Sequence, residues 1–370
     1  MKEWYEISNI SEIDSPCLVI FKDRVAENIQ RLAKSIDDIS RLRPHVKTHK
    51  SPHVSEMMLK AGITKFKCAT IAEAEMLARA GAKDILLAYQ PVGPKTERFY
   101  ELSVAFPNVT FACLIDDITA AADLSREYGL SKVKANIFID LNVGMNRTGI
   151  APEAAYRLIT QCVELPGINM KGLHAYDGHI RDEDYSKRKE RSDTAFAPVI
   201  SLQEKIRKDL GINVVIVAGG TPTYPVHSER KNKNIECSPG TFIYWDKGYE
   251  TILTEQHYLH SAVVITRIIS KPSAGIICTD LGHKSIASEN PLPQRVFFLN
   301  APELKPVGHS EEHMVFQTGN DRAYNVGDVL YGIPYHVCPT IALYERTAVA
   351  GNGKISEWWM TTSRDRKITV

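Results

Sequence analysis

The sequence predicts an α/β protein: a (β/α)8 barrel followed by a smaller β domain. Three observations carry this. Between about residues 23 and 245, short apolar runs alternate eight times with amphipathic segments, as a barrel requires. No glycine-rich dinucleotide turn follows the first run, which counts against a doubly wound open sheet, the runner-up. After Asp246 the rhythm changes to short β-like runs with no long helix between them.

The expected barrel strands are 42–47, 65–69, 84–89, 109–115, 134–140, 169–176, 213–218 and 235–237. Strong helix formers from Ala72 end at Gly81, a residue suited to a helix C-terminus. The longest helical stretch, 181–210, carries Ala195, Val199, Leu202 and Ile206 on one face. The later runs at 261–270, 274–279, 295–299, 313–316 and 342–350 read as strands, and Asn325-Val326-Gly327-Asp328-Val329 reads as a turn entering a strand. These assign residues 23–245 to the barrel and 246–370 to the β domain. The apolar run Pro16-Cys17-Leu18-Val19-Ile20-Phe21 precedes the barrel, so residues 1–22 are expected to join the β domain.

The 370 residues include 45 basic and 44 acidic ones, a net charge of +1, which leaves no basic face for nucleic acid. No apolar run is long enough to span a membrane, and the N-terminus lacks signal-peptide order. Seven cysteines scattered singly read as reduced thiols, so a cytoplasmic protein is expected.

Four clusters carry chemistry. Arg43-Pro44-His45-Val46-Lys47-Thr48-His49-Lys50 closes the first barrel strand, on the rim where barrel active sites form. A desolvated lysine among other cations there has a lowered pKa and reacts with an aldehyde cofactor, although a lone strand-end lysine is more often solvated. Gly219-Gly220-Thr221-Pro222-Thr223 follows the seventh strand and Ser238-Pro239-Gly240-Thr241 the eighth, the usual pair of phosphate-holding loops in barrels. Asp140-Leu141-Asn142-Val143-Gly144-Met145-Asn146-Arg147-Thr148-Gly149 and His174-Ala175-Tyr176-Asp177-Gly178-His179 put Arg147 and Tyr176 on the same rim. Taken singly, each is as readily an Asn-, Asp- and Gly-stabilised turn. In Pro334-Tyr335-His336-Val337-Cys338-Pro339-Thr340, an extended strand turns His336 and Cys338 to one side, where they can grip one cation. Thiolate with imidazole favours zinc over magnesium.

Together these four motifs resemble the fold-type III pyridoxal-phosphate enzymes, in the D-threonine aldolase and D-serine dehydratase branch, over nearly the whole chain. The resemblance implies an alanine-racemase-like barrel with a β domain, in a homodimer. It implies pyridoxal 5'-phosphate bonded to Lys47, with Arg147 facing its phenolic oxygen and Tyr176 its pyridine nitrogen. Gly220, Thr221, Gly240 and Thr241 hold the phosphate, and His336 with Cys338 holds a divalent metal, zinc first, manganese or magnesium as alternatives. The implied substrate is a D-3-hydroxy amino acid. In this branch aldolases tend to carry His-x-Asp at the metal position and dehydratases His-x-Cys. Cys338 follows the dehydratases, whereas the barrel segments 66–70 through 87–91 are closer to the aldolases. Retro-aldol cleavage is the expected reaction and dehydration the alternative. A racemase, or a pyridoxal-phosphate carrier without catalysis, is the more distant reading.

Overall fold

Strands rich in Val, Ile, Leu and Phe build two separate sheets in the computed structural model, which describes residues 3–129, 133–319 and 323–370. The chain divides into two compact units: Leu32–Lys47 with Pro52–Gly240 and Asp365–Val370, and Met1–Arg31 with Thr48–Ser51 and Thr241–Arg364. The first strand, β1 (Cys17–Phe21), belongs to the second of these.

In the unit containing Pro52–Gly240, seven parallel strands pair in chain order. They are β2 (Lys65–Cys68), β3 (Asp84–Leu87), β4 (Thr110–Ile115), β5 (Ala135–Leu141), β6 (Ile168–Ala175), β7 (Val215–Ala218) and β8 (Ile235–Cys237). Leu86, Ala112, Leu114, Phe138 and Val217 cluster inside this sheet. The expected first strand at 42–47 is absent as a regular strand. Single bridges, Leu42 to Cys237 and His45 to Lys67, take its place between β8 and β2. The reason is local. Pro44 has no N–H to donate, and Val46–Thr48 turns into a 3-10 helix. The remaining groups still pair: Arg43 N–H donates to Cys237 O and His45 N–H to Pro239 O, while Pro44 O accepts from Lys67 N–H, each at 2.9 Å.

The helices follow their caps. Thr70 Oγ1 accepts from Glu73 N–H at 3.0 Å, and the Glu73 carboxylate accepts from Ala69 N–H at 2.6 Å, which fixes the start of Ile71–Arg79. Gly81 follows its end with φ +99°. The long helix is Tyr185–Leu210, starting at an Asp184 cap and ending at Gly211 in the left-handed region, φ +68°. It buries Phe196, Val199, Leu202 and Ile206.

The other unit holds β9 (Ala262–Ser273), β10 (Ile276–Thr279), β11 (Val296–Phe298), β12 (Lys305–His309), β13 (Met314–Gln317), β14 (Val329–Pro334), β15 (Arg346–Gly351) and β16 (Lys354–Met360). β1 lies between β9, antiparallel, and β15, parallel. Cys17, Val19 and Phe21 pack there on Val263, Ile265, Ile333 and Ala348. The run expected as one strand at 342–350 is split into the helix Val337–Leu343 and β15. An Asp246 carboxylate oxygen accepts from Val337 N–H at 3.1 Å and stabilises that helix start. Among the described residues, no helix is long and apolar enough to cross a membrane.

Candidate active site

Lys47 sits on the 3-10 turn just beyond the paired residues 42–45. It lines a cavity of about 480 Å³ together with Lys67, Asp140, Arg147, His174 and Tyr176. Every lining residue lies in the unit containing Pro52–Gly240. The Arg147 guanidinium lies 5.1 Å from the centre of the Tyr176 ring. Gly220 packs against the same ring: a Cβ there would fall 2.8 Å from Tyr176 Cε2, so only glycine fits. Gly219 precedes it with φ +71°. Thr221 Oγ1 accepts from Gly240 N–H at 3.2 Å, tying the loop after β7 to the loop after β8. Lys47, Arg147 and Tyr176 thus share a cavity, and Gly220, Thr221 and Gly240 form two linked turns of the same unit.

Asp177, beside Tyr176, braces these turns from below. Its carboxylate accepts from Thr223 Oγ1 at 2.6 Å and Ser192 Oγ at 3.1 Å and pairs with His227 Nε2 at 2.9 Å. With its proton given to Asp177, Thr223 Oγ1 accepts from Gly220 N–H at 3.3 Å. Burial raises the Asp177 pKa, but the His227 charge and the three hydrogen bonds outweigh it and hold the carboxyl low.

The buried amine whose pKa is pushed down is Lys67, which sequence reasoning missed. Burial lowers it to about 7, helped by the cations Lys47 and Arg147 and opposed by Asp140 and Asp177. Its Nζ lies 3.4 Å from His174 Nε2, and His174 Nδ1 lies 2.7 Å from Asp140 Oδ1. Burial and the Lys67 charge lower the His174 pKa, against its bond to Asp140. A neutral ring gives its Nδ1 proton to Asp140 and turns the Nε2 lone pair to Lys67. Asp140 is raised by burial, but the hydrogen bonds from His174 and Thr148 hold it below its usual range.

Several residues of the basic motif have other partners. Arg43 is buried between Glu236, 2.5 Å from Nε, and Asp84, 2.7 Å from Nη1. Lys50 Nζ reaches Ser363 O at 3.4 Å, and His49 is buried with Nδ1 accepting from Ser51 N–H.

His336 and Cys338 belong to the other unit, as does Thr241, which opens the 3-10 helix Thr241–Ile243. They do not share an extended strand. His336 caps the helix Val337–Leu343 and Cys338 lies in its first turn. The tight turn still brings them together: the Cys338 thiol bonds to the His336 imidazole, which burial lowers but Cys338, Asp246 and Glu289 raise to about 9. His336 Nδ1 pairs with Glu289, and Cys338 Sγ lies 3.2 Å from Thr48 Oγ1. Among the described residues, no group of three or more His, Cys, Asp or Glu side chains is placed to hold a metal.

A parallel α/β barrel with a lysine in a cavity at its strand ends, joined in one chain to a β domain, defines the class. Residues 20–247 match the family described as alanine racemase, N-terminal domain, and residues 261–350 match a putative serine dehydratase domain. The chain belongs to the alanine racemase N-terminal domain family. It is 26% identical to a 3-hydroxy-D-aspartate aldolase of Paracoccus denitrificans (strain Pd 1222), over 96% of this chain and 93% of that one. It is 25% identical to a D-threonine aldolase of an Arthrobacter species, over 96% and 94%. The crystal structure of D-threonine aldolase from Filomicrobium marinum superposes with a TM-score of 0.87 at 25% identity, covering 98% of this chain and 99% of that one.

Proposed function

We propose that this protein is a pyridoxal-phosphate-dependent lyase of D-configured 3-hydroxy amino acids, cleaving them to glycine and an aldehyde. The observation that carries this reading is the cavity shared by Lys47, Arg147 and Tyr176, in a chain similar along its length to two such aldolases. The residues fit the cofactor. Bare glycine backbone at Gly220, pressed on the Tyr176 ring, and the Thr221–Gly240 link leave two turns suited to a phosphate. In this reading Lys47 supplies the reactive amine, Arg147 meets the phenolic oxygen and Tyr176 the pyridine nitrogen. Gly220, Thr221, Gly240 and Thr241 hold the phosphate.

When bound, the cofactor supplies an aldehyde for amines and a ring that withdraws the electron pair released at Cα. The protein's own residues orient and hold protons. Asp177 keeps Thr223 and Gly220 in register. Asp140 remains anionic and fixes the His174 tautomer. Arg147, laid against Tyr176, keeps a permanent positive charge on the rim. A divalent metal, zinc first, fits the bonded imidazole and thiol of His336 and Cys338, whose soft donor suits it. Two protein ligands leave positions for water and for a substrate hydroxyl, whose pKa such a metal lowers. The same reading makes the enzyme a cytoplasmic homodimer.

The Cys338 thiol supports dehydration to a keto acid and ammonia as the second reading. Incubation with D-threonine, 3-hydroxy-D-aspartate and D-serine separates the two. Glycine and aldehyde in equal amounts are expected, from the D isomers alone and not from Lys47→Ala. Keto acid with ammonia establishes the second reading, and no product from any substrate rejects both.

A further inference from the structure

His227 is a buried group that the proposed function leaves unused. It lies on the short helix Tyr224–Ser228, directly after the glycine turn at 219–223, and is 0% exposed. Its position is fixed from several sides. The backbone N–H donates to Thr223 O and the backbone carbonyl accepts from Arg41 Nη2, each at 3.1 Å. The Phe196 ring packs edge-on with its centre 4.9 Å away, and Nδ1 faces Arg230 Nε at 3.4 Å. The imidazole fills the space beside Gly219, where a Cβ would fall 2.8 Å from His227 Cδ2. Its Nε2 is directed at Asp177 Oδ2, 2.9 Å away, and Ser192 Oγ donates to the same oxygen at 3.1 Å.

Two successive glycines leave the backbone very free, so a turn built on Gly219 and Gly220 keeps one shape only if something outside it holds it. The bonds around His227 do this in sequence. With Oδ2 clamped by His227 and Ser192, Asp177 presents Oδ1 to Thr223, and that 2.6 Å bond commits the hydroxyl proton to the carboxylate. The Thr223 oxygen then has only lone pairs to offer, and it accepts from Gly220 N–H at 3.3 Å. A peptide unit is planar, so this bond orients the whole unit joining Gly219 to Gly220, next to the φ of +71° that Gly219 holds. Three donors converging on Asp177 also disperse its charge, which would otherwise repel a phosphate bound at this turn. We propose that His227 is a positioning residue for the cofactor's phosphate: it clamps Asp177, which through the Thr223 hydroxyl sets the glycine turn, so that affinity for the phosphate group depends on a side chain buried away from it. Removing the Nε2 donor frees the carboxylate to rotate, and the Thr223 proton is no longer committed. The glycine turn then pays the ordering entropy when the phosphate binds.

This inference rests on the proposed cofactor, and its test separates the two. Full-length protein stripped of cofactor is titrated by absorbance with pyridoxal phosphate and, separately, with pyridoxal, which carries the same ring and aldehyde but no phosphate. The ratio of the two dissociation constants reads the phosphate seat alone. Wild-type protein is expected to bind pyridoxal phosphate far more tightly. In His227→Leu the ratio is expected to fall about tenfold, the worth of one hydrogen bond to a charged group, with pyridoxal affinity unchanged. His227→Gln, whose amide nitrogen can stand where Nε2 does, keeps the wild-type ratio. Thr223→Val, which removes the hydroxyl, lowers the ratio as His227→Leu does and serves if that variant does not fold; Thr223→Ser restores it. A ratio unchanged in His227→Leu or Thr223→Val with native circular dichroism overturns the assignment, and so does a loss shared equally by pyridoxal, which marks general damage to the cavity. Wild-type protein that binds both aldehydes equally removes the phosphate seat and this inference with it, whereas wild-type protein that binds neither rejects the cofactor itself.

Discussion

Arg43 is the residue of the basic motif whose removal should cost stability, not chemistry. Its side chain is 3% exposed and Glu236, its partner at 2.5 Å, is 4% exposed. Replacing Arg43 by methionine leaves the Glu236 carboxylate buried, with Lys65 at 2.5 Å as its remaining cation. Breaking a buried pair from one side costs about 3–5 kcal/mol, and the surviving Lys65 contact places the loss near the lower limit. Asp84 is 36% exposed, so water takes over its lost contact. At an m-value of about 3 kcal/mol/M, a 3 kcal/mol loss lowers the urea midpoint by about 1 M. The assay is urea unfolding followed by circular dichroism. The double variant Arg43→Met/Glu236→Leu is expected to recover most of the loss, because the uncompensated charge leaves with the second substitution. A single-variant loss below 1 kcal/mol, or a double variant as weak as the sum of its singles, would refute the idea that buried charge carries the effect.

Three more outcomes are expected. Gly220→Ala puts a methyl 2.8 Å from Tyr176 Cε2, an overlap worth about 1–3 kcal/mol, so pyridoxal phosphate affinity by absorbance titration falls roughly 5- to 150-fold. Wild-type affinity in that variant would mean the loop does not touch the phosphate. Burial, assisted by Lys50, lowers the His49 pKa to about 3, so folded His49 stays neutral while the unfolded residue takes a proton below about 6.5. The unfolded state then binds more protons, and stability present above pH 6.5 is lost as pH falls, by about 2 kcal/mol at pH 5. His49→Phe should flatten that part of the pH–stability curve; an unaltered slope assigns it elsewhere. Chelation, or Cys338→Ala, should abolish turnover while the cofactor band persists. Full activity after verified metal removal would exclude a catalytic metal.

Much of the barrel was legible because its strands are buried on both faces and read as short apolar runs; β8 (Ile235–Cys237) falls at the expected bounds and β2 to β7 within two residues. The run at 42–47 reads as a strand, but Pro44 lacks a donor, which interrupts the ladder and leaves single bridges at Leu42 and His45. In the other unit β12 and β16 went unseen, and β14 was signalled only by the turn at 325–329 that enters it. β12 and β14 carry Pro306, Gly308, Gly332 and Pro334, and β16 mixes Lys354 and Glu357 with Trp358 and Trp359, so no clean alternation marks them. Lys67 offered one signal: lysines at 65 and 67 alternate with Phe66 and Cys68, which puts both on one face of a strand otherwise read as buried. The distinction between them is tertiary. Lys65 reaches Glu236, whereas Lys67 meets His174, more than a hundred residues further on. The nearness of His336 and Cys338 was anticipated for the wrong reason, since a helix start and not a pleat brings the side chains together.

The position of β1 has a consequence for synthesis. Cys17–Phe21 is wedged between neighbours from Ala262–Ser273 and Arg346–Gly351, so this apolar pentapeptide leaves the ribosome about 330 residues before its parallel neighbour exists. At roughly 10 residues per second that is about half a minute with at least one edge bare, a period in which a nascent chain is vulnerable to sticking. A polypeptide released early, after the barrel but before Arg346, would retain that bare strand, and it should depend on chaperones far more than the finished molecule does.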